Sequence, residues 1–146
     1  MIKKLWTEEV ADHAGPAYRL EKAVQNPKPL QKPHPPFWIG GAGEQRTLRV
    51  VAEHADVWNL AGADVAEGVR KSKILDAHCQ QVGRDPRAIR RSVQLRVDTS
   101  QLDKSLAQAE AFVAAGFSEL VLTVAPPNPV ANAEVVARQM LPRLRD

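Results

Sequence analysis

A glycine-rich loop is the strongest chemical signal in the sequence. Gly40, Gly41, Ala42 and Gly43 follow the apolar segment 37–39, and a helical pattern begins at the next residue. Glycine allows backbone N–H groups to approach a ligand closely, and the first turn of a helix adds unpaired N–H donors with partial positive charge. This combination is typical of phosphate-binding loops, although a tight strand-to-helix turn requires glycine for its geometry alone.

Two polar side chains after the loop have the chemistry to hold a phosphate. The guanidinium of Arg46 suits the spacing of two phosphate oxygens, and the alternative is a solvated helix residue. The hydroxyl of Thr47 has the chemistry to donate to the same phosphate or to cap the helix. Glu44 carries the same sign of charge as phosphate, so we expect it to favour the helix start instead.

Further polar residues lie near the carboxyl ends of later strands. Asn59, Asp98 and Thr123 occupy such positions, and parallel strands bring these ends together at one edge of the sheet. The alternative is that these residues cap loops and helices, and it is favoured for Asp98 and Thr99. We therefore interpret Asn59 as a residue that lines the same site as the glycine-rich loop.

The remaining reactive residues do not form a convincing catalytic or metal site. The four histidines lack metal-binding spacing, so each is interpreted as structural or solvated; they are His13, His34, His54 and His78. No nucleophile with a base partner is evident, and Cys79 is typical of a small apolar helix residue. Trp38 and Trp58 lie in predicted strands and are expected in the core. The sequence therefore assigns no metal and no catalytic residue.

Composition limits the class of protein. The chain has 146 residues, of which 44% are hydrophobic and 25% charged, which is typical of one soluble globular domain. A net charge of +3 is spread along the predicted helices and aromatic residues make up 5%, so we do not expect a nucleic-acid-binding protein. A single cysteine excludes an intrachain disulfide, and neither a signal peptide nor a membrane span is evident. We expect a cytoplasmic protein.

Four repeats of strand and helix occupy residues 37–146. Strands are predicted at 37–40, 56–60, 92–97 and 117–124, and helices at 44–55, 65–82, 102–115 and 134–144. Asp85 and Pro86 fit the cap and the first residue of a short helical turn. The strands are nearly continuous in apolar character, which indicates a parallel α/β sheet covered by helices. A doubly wound sheet and half of an eight-stranded barrel both satisfy this pattern.

Residues 1–36 have a different organisation. Residues 1–6 place apolar side chains on one helical face, but the segment is too short for an independent helix, as if a longer helix had lost its start. Residues 10–23 are predicted to form a loose hairpin or loop, because they alternate weakly and contain Gly15 and Pro16. Five prolines within residues 26–36 predict an extended connector.

Several of these segments resemble the luciferase-like monooxygenase family. The similar segments are residues 33–44 (Pro-His-Pro-Pro-Phe-Trp-Ile-Gly-Gly-Ala-Gly-Glu), 46–49 (Arg-Thr-Leu-Arg) and 55–59 (Ala-Asp-Val-Trp-Asn), together with 5–8, 18–20, 27–29 and 83–86. They cover nearly the whole chain, and they are most similar to the branch that uses the deazaflavin coenzyme F420. Val57 departs from the pattern, because many relatives have glycine at that position.

The resemblance implies a fold, a cofactor and a site. Family members fold as (β/α)8 TIM barrels, so the chain is expected to form parallel βα units corresponding to strands five to eight, half of such a barrel. The implied cofactor is coenzyme F420, which is preferred, or FMN. Its phosphate is expected on the loop, and the implied cofactor-binding residues are Gly40, Gly41, Ala42, Gly43, Arg46, Thr47 and Asn59.

The resemblance also implies an oxidoreductase, which transfers hydride with F420 or performs monooxygenation with reduced FMN. Family members place much of the substrate pocket on strands one to four, so the small-molecule substrate stays unassigned. Four strands without closure leave two unpaired edges, and we expect association with a second copy or with a chain that supplies the amino-terminal half-barrel. The main alternative is a truncated, non-catalytic fragment that folds and self-associates. A weaker alternative is a nucleotide-binding module with an open four-stranded sheet.

Overall fold

Two units of structure follow one another along the chain. A computed structural model describes residues 1–62 and 64–144, and the chain divides into Met1–Pro36 and Phe37–Asp146. The first unit contains the short helix α1 (Ile2–Thr7) and two antiparallel strands, β1 (Ala11–Ala14) and β2 (Arg19–Ala23). The turn between the strands is closed by a hydrogen bond from Gly15 N to Tyr18 O at 3.0 Å. Residues 10–23 therefore form a hairpin rather than an open loop.

A lysine from the proline-rich segment satisfies the end of the short helix α1. Lys28 Nζ donates to the carbonyl oxygens of Leu5 at 2.8 Å and Glu8 at 2.6 Å. The last carbonyls of a helix have no partner within the helix, and a cation at this end also complements the helix dipole. This contact explains how a helix of six residues is held in place within the first unit.

The second unit is built from four βα repeats. Its strands are β3 (Trp38–Gly40), β4 (Val57–Ala61), β5 (Arg90–Val97) and β6 (Glu119–Val124), and its helices are α2 (Thr47–His54), α3 (Val65–Gln81), α4 (Leu102–Ala114) and α5 (Pro129–Val135). The strands form one parallel sheet in the order β3-β4-β5-β6. Within residues 1–62 and 64–144, no helix has the length and apolar character needed to cross a bilayer.

The helices of the second unit share one hydrophobic core with one face of the sheet. Strand residues in this core alternate along β4 and β5; examples are Trp58, Leu60, Val93 and Leu95. They pack with buried residues from α2, α3, α4 and the π-helical segment Val136–Met140 that follows α5; examples are Leu48, Leu75, Phe112 and Met140. Alternate residues of a strand point to opposite faces, so these four helical segments lie on the same side. A doubly wound sheet carries helices on both faces, and the arrangement is instead that of a barrel segment.

The other face of the sheet carries mostly polar side chains in register across the strands. One row consists of Gly40, Asn59, Ser92 and Glu119, which are paired from β3 to β6. The neighbouring rows contain Trp38, Val57 and Arg90 on one side, and Ala61, Gln94 and Val121 on the other. We call this face, which carries these three rows, the helix-free face of the second unit. In a closed barrel it points to the interior.

Most element predictions are confirmed, and the differences lie at the ends of elements. The inward residues predicted for α2, Leu48, Val51, Ala52 and Ala55, are fully buried. Strand β5 begins two residues early, at Arg90, because the charged Arg90 and Arg91 hide its start from an apolar pattern while they pair with Glu119 and Asp76. The last helix begins at Pro129, whose ring suits the first helical position, and it continues as a π-helical segment, Val136–Met140.

Candidate functional site

The loop between β3 and α2 lies at the carboxyl edge of the parallel sheet. Strand β3 ends at Gly40, and helix α2 begins at Thr47. Gly41 has a φ of +126°, and its N–H donates to Asn59 O at 3.1 Å. This bond attaches the first loop residue to β4 before the chain turns away from the sheet. In parallel αβ barrels, this edge is where binding and catalytic groups converge.

Every carbonyl from residue 41 to residue 44 accepts a hydrogen bond from the protein. The four pairs are Trp58 Nε1 with Gly41 O (2.8 Å), Lys71 Nζ with Ala42 O (2.8 Å), Leu48 N with Gly43 O (3.0 Å) and His78 Nε2 with Glu44 O (2.8 Å). Three of these donors are side chains from β4 and α3. The loop is therefore held in place through its carbonyl oxygens.

The N–H groups of the same peptides are left without acceptors. In a trans peptide the C=O of one residue and the N–H of the next point in opposite directions, so the N–H groups of residues 42–45 face away from the groups that bind the carbonyls. In the described part of the chain, no acceptor pairs with the backbone N–H of any residue from 42 to 47. The loop thus presents consecutive donors, which is the arrangement that binds anions.

The charges beneath the loop form a neutral cluster of two cations and two carboxylates. Glu44 accepts from Arg70 Nη2 at 2.5 Å and lies 3.2 Å from Lys71 Nζ. Glu67 accepts from Arg70 Nε at 2.7 Å and also lies 3.2 Å from Lys71 Nζ. Hydrogen bonding to Arg70 lowers the pKa of Glu44 and lowers that of Glu67 to about 2. The negative charge of Glu44 is therefore compensated where an anion would approach.

Glu44 does not occupy the position that the sequence predicts for it. The helix begins three residues later, at Thr47, and a wide turn closed by Leu48 N and Gly43 O contains residues 44–46. The carbonyl of Glu44 is bound by His78 and its carboxylate by Arg70 and Lys71, so these residues fold toward α3 instead of starting α2. The prediction of Glu44 at the helix start is wrong for this reason.

Thr47 lies against the two flanking glycines of the loop. A Cβ on Gly43 would stand 2.8 Å from Thr47 Oγ1, and a Cβ on Gly41 would stand 3.0 Å from Thr47 Cγ2. The N-cap residue of α2 is Arg46, and no side chain caps this helix. Thr47 therefore does not cap the helix, so the capping alternative is excluded. Among the described residues its hydroxyl has no hydrogen-bond partner.

Arg46 is exposed at the edge of the same loop. Its guanidinium has no ion-pair partner within residues 1–62 and 64–144, in contrast to Arg70 beneath the loop. Residues 42–46 line one shallow surface pocket. The uncompensated positive charge and the free N–H donors thus lie on the same short segment.

Asn59 is connected to the loop through its backbone. Its carbonyl accepts from Gly41, while its side-chain Nδ2 donates to Ser92 Oγ at 3.1 Å. Asn59 is 8% exposed and Ser92 is fully buried. The Asn59 side chain thus belongs to the polar row on the helix-free face, beside Gly40, the last residue of β3. Gly40 itself has no atom closer than 3.9 Å to an added Cβ, so packing does not require glycine there.

Asp98 and Thr123 form hydrogen bonds with other parts of the described chain and not with the glycine-rich loop. Asp98 accepts from Ser100 N at 2.9 Å and Ser100 Oγ at 2.7 Å, and these bonds lower its pKa. It caps the short helical turn Thr99–Gln101, so the capping interpretation is confirmed for Asp98. The hydroxyl of Thr99 instead donates to Asn132 Oδ1 at 3.1 Å. Thr123 donates to Leu95 O at 3.3 Å and lies on the helix-free face.

The two tryptophans have different environments. Trp58 is fully buried in the core, as predicted, and its indole also binds Gly41 O. Trp38 is 47% exposed, so its prediction as a core residue is wrong. Strand β3 is an edge strand of three residues, and Trp38 lies on its helix-free face, where the second unit provides no helix to cover it.

Lys71, which the sequence pattern alone does not place at the site, is 8% exposed and lies beneath the loop. A signal was present, because Gly68, Lys71, Leu75 and Cys79 share one buried stripe of α3. A lysine at helical spacing within an apolar face must find partners for its charge, since burial of an unpaired ammonium is costly. That spacing predicts a buried interaction, although it does not identify the partner.

The fold and the loop together define a segment of a (β/α)8 barrel with a glycine-rich loop of unpaired N–H donors, among the described residues, at its carboxyl edge. The chain matches the sequence profile of the luciferase-like monooxygenase family over residues 1–140. It belongs to this family.

Two groups of curated relatives align with less than half of the chain. An FMNH2-dependent dimethylsulfone monooxygenase from Pseudomonas putida is 32% identical over 69 residues, which is 47% of this chain and 18% of that protein. An uncharacterized protein from Mycobacterium tuberculosis is 34% identical over 64 residues, which is 44% of this chain and 22% of that protein.

Solved structures match the fold over nearly the whole chain. An F420-dependent secondary alcohol dehydrogenase, solved with an F420-acetone adduct, aligns with a TM-score of 0.81 and 13% identity, covering 99% of this chain and 59% of that one. The coenzyme F420 dependent tetrahydromethanopterin reductase from Methanopyrus kandleri gives a TM-score of 0.81 and 12% identity, with 99% and 61% coverage. The chain thus spans about three fifths of these structures, and the match establishes a partial TIM barrel.

Proposed function

We propose that this chain forms the cofactor-phosphate part of an oxidoreductase site that uses coenzyme F420 or FMN. One observation carries the proposal: the carbonyls of residues 41–44 are all bound by the protein, while the N–H groups of residues 42–47 have no acceptor among the described residues. A phosphate group supplies the acceptors that such a loop requires. The likeness to two F420-dependent enzymes supports F420 as the preferred cofactor, and the dimethylsulfone monooxygenase supports FMN as the other candidate.

The residues present fit a cofactor phosphate. Gly41, Ala42 and Gly43 provide close backbone approach, and a Cβ at Gly43 would fill space that Thr47 Oγ1 already borders. Within residues 1–62 and 64–144, the positive charge of Arg46 has no ion-pair partner and the hydroxyl of Thr47 has no hydrogen-bond partner. Gly40 and Asn59 position the loop on the sheet. When bound, the deazaflavin or flavin ring supplies the two-electron redox chemistry, while this chain binds and orients the phosphate end.

The rest of the site is proposed to come from a second half-barrel. Strands β3 and β6 are the two edges of the sheet, and unpaired edges favour pairing with further strands. The helix-free face carries Trp38 and Val121 with 47% and 36% exposure, which is apolar surface for a partner to cover. We expect a second copy or a chain that supplies strands one to four, and we expect the small-molecule substrate to bind between the two halves.

Cofactor titration tests the proposal. We expect F420 or FMN to bind the chain, as followed by the change in cofactor fluorescence. Gly41→Asp adds a negative charge and a Cβ at a residue with a φ of +126°, so it should weaken binding by about tenfold or more. Gln108→Asp adds the same charge on the exposed side of α4 and serves as the control. A folded chain that binds neither cofactor at millimolar concentration contradicts the proposal and supports the non-catalytic alternative.

Sedimentation tests the proposed partner. We expect the chain alone to form dimers or larger species through its sheet edges and helix-free face, and Val121→Lys should reduce this association because it places a charge on that face. The control is Val113→Lys, which adds the same charge on the exposed side of α4. A monodisperse monomer for the unsubstituted chain would contradict the expected self-association.

A further inference from the structure

We propose that Lys71 is a positioning residue for the anion-binding loop: it fixes the direction of the peptide between Ala42 and Gly43 without contacting the anion. This inference rests on the proposed function, because it concerns the same loop. It goes further by assigning a role to a buried cation that is not among the residues proposed to touch the cofactor.

The ammonium of Lys71 is engaged by three oxygen atoms of the protein. Nζ donates to Ala42 O at 2.8 Å and lies 3.2 Å from Glu44 Oε1 and 3.2 Å from Glu67 Oε1. An ammonium has three protons; two are donated in hydrogen bonds to Ala42 O and Glu44 Oε1, and the third contact is the ion pair with Glu67. The residue is 8% exposed, so its charge is also shielded from solvent. Lys71 therefore differs from Arg46, which is exposed and whose guanidinium has no ion-pair partner among the described residues.

The bond from Lys71 to Ala42 O sets which face of the loop carries the N–H of Gly43. The Ala42–Gly43 peptide is followed by a residue without a Cβ, which restricts its rotation less than any other residue would. A reversed peptide would present a carbonyl oxygen, a hydrogen-bond acceptor, to an incoming phosphate. By holding Ala42 O toward α3, Lys71 keeps the donor on the ligand side.

Two variants are needed to separate the effect of the Lys71 charge from the effect of its bond to Ala42 O, because Lys71 belongs to a neutral cluster of charges. Lys71→Met removes the bond to Ala42 O. It also leaves Arg70 as the one cation beside Glu44 and Glu67, so the cluster becomes net negative and repels an anion. Glu67→Gln combined with Lys71→Met restores the neutral sum while the bond to Ala42 O stays absent. If Lys71 acts by position, both the single and the double variant lose phosphate recognition.

The readout is the preference of the chain for FMN over riboflavin, which lacks the phosphate. We expect the unsubstituted chain to bind FMN about tenfold or more tightly than riboflavin. Lys71→Met and the double variant should each reduce this ratio to about one while riboflavin affinity stays unchanged. Lys71→Arg keeps the charge and the donors, so it should retain part of the preference for FMN. A double variant that recovers the full ratio overturns the inference, because Lys71 would then act through charge.

Two further outcomes separate this inference from the proposed function. If the unsubstituted chain prefers neither FMN over riboflavin nor F420 over the same deazaflavin without its phosphate, the loop does not hold the phosphate and the proposed function fails first. NMR titration of the unsubstituted chain with inorganic phosphate tests Lys71 without any substitution. We expect the amide signals of residues 42–45 to shift while the Lys71 Cε and Nζ signals stay nearly constant. Equal shifts at Lys71 mean direct contact and overturn its role as a positioning residue.

Discussion

The indole N–H of Trp58 donates to the carbonyl of Gly41 at 2.8 Å, so the largest fully buried side chain among the described residues is bonded directly to the loop between β3 and α2. The same indole packs beside Phe117, with ring centroids 6.1 Å apart. Packing of the core and geometry of the loop are therefore coupled through one residue, and changes in one should be measurable in the other.

Replacement of this indole should affect both stability and binding. Trp58→Phe removes the donor to Gly41 O and part of the buried surface, so we expect a loss of about 1–3 kcal/mol in the free energy of unfolding. The preference for FMN over riboflavin should fall in the same variant. Urea unfolding and ligand titration measure the two effects. Trp38→Phe is the matched control, since Trp38 is 47% exposed, and it should change stability by less than about 0.5 kcal/mol.

An alanine at Gly43 should act through Thr47. The added Cβ would stand 2.8 Å from Thr47 Oγ1, which forces the hydroxyl to another rotamer and costs about 1 kcal/mol. Phosphate binding should weaken, because the hydroxyl and the loop both move. In a Thr47→Ala background the atom in conflict is absent, so Gly43→Ala should then cost little stability.

The control for this pair is Gly40→Ala, because the nearest atom to its added Cβ is 3.9 Å away. Thermal unfolding of the four proteins of the Gly43 and Thr47 cycle, together with FMN titration, gives the coupling between the two positions. Additive effects would show that Thr47 does not mediate the cost at Gly43.

Acid should weaken the cluster beneath the loop. The folded-state pKa of Glu67 is lowered from 4.5 to about 2 by its hydrogen bond to Arg70, and that of Glu44 is lowered by the same residue. A lowered pKa means that the contribution to stability is complete above about pH 4.5 and is lost as pH falls toward 2. We expect the urea midpoint to decrease over this range.

Glu67→Gln isolates one carboxyl from the general effect of acid. In this variant the decrease of the midpoint between pH 4.5 and 2 should be smaller than in the unsubstituted chain, since one of the titrating groups is absent. Glu9→Gln is the control, because Glu9 has no ion-pair partner among the residues that the structure describes. The same pH slope in all three proteins would exclude the cluster as a source of acid sensitivity.

Gly68 should not tolerate alanine, although alanine favours helices. An added Cβ would stand 2.9 Å from Phe112 Cε1 and 3.3 Å from Phe117 Cζ, two rings that meet edge to face at 5.1 Å. The gain in helix propensity is about 1 kcal/mol and overpacking costs about 1–3 kcal/mol, so we expect a net loss of about 1 kcal/mol. In a Phe112→Leu background the ring atom in conflict is absent and the cost of Gly68→Ala should shrink. An equal cost in both backgrounds would contradict this packing argument.

Those elements of the structure that depend on local sequence pattern can be predicted from the sequence. The stripe of Leu48, Val51 and Ala52 predicts α2, and three glycines within four residues predict a turn that a ligand can approach. Periodicity does not distinguish a barrel segment from a doubly wound sheet, because the alternation of strands and helices along the chain does not specify the face of the sheet on which each helix packs. The resemblance to a family supplied that choice.

The direction in which the loop carbonyls and N–H groups point cannot be predicted from local sequence pattern. It depends on hydrogen bonds between residues far apart in the chain, such as Lys71 and Ala42, which are 29 residues apart, and His78 and Glu44, which are 34 apart. Contacts of this kind leave no periodic signal. Trp38 was misplaced for a related reason, since an edge strand looks as apolar as a central one until its neighbours are known.

The polar row across the sheet has an uneven height. Gly40 contributes no side chain at the β3 end, Asn59 and Ser92 follow, and Glu119 reaches out at the β6 end, where it pairs with Arg90. In this row the space nearest the loop is therefore the least filled by side chains, because the row ends at Gly40, the residue before Gly41.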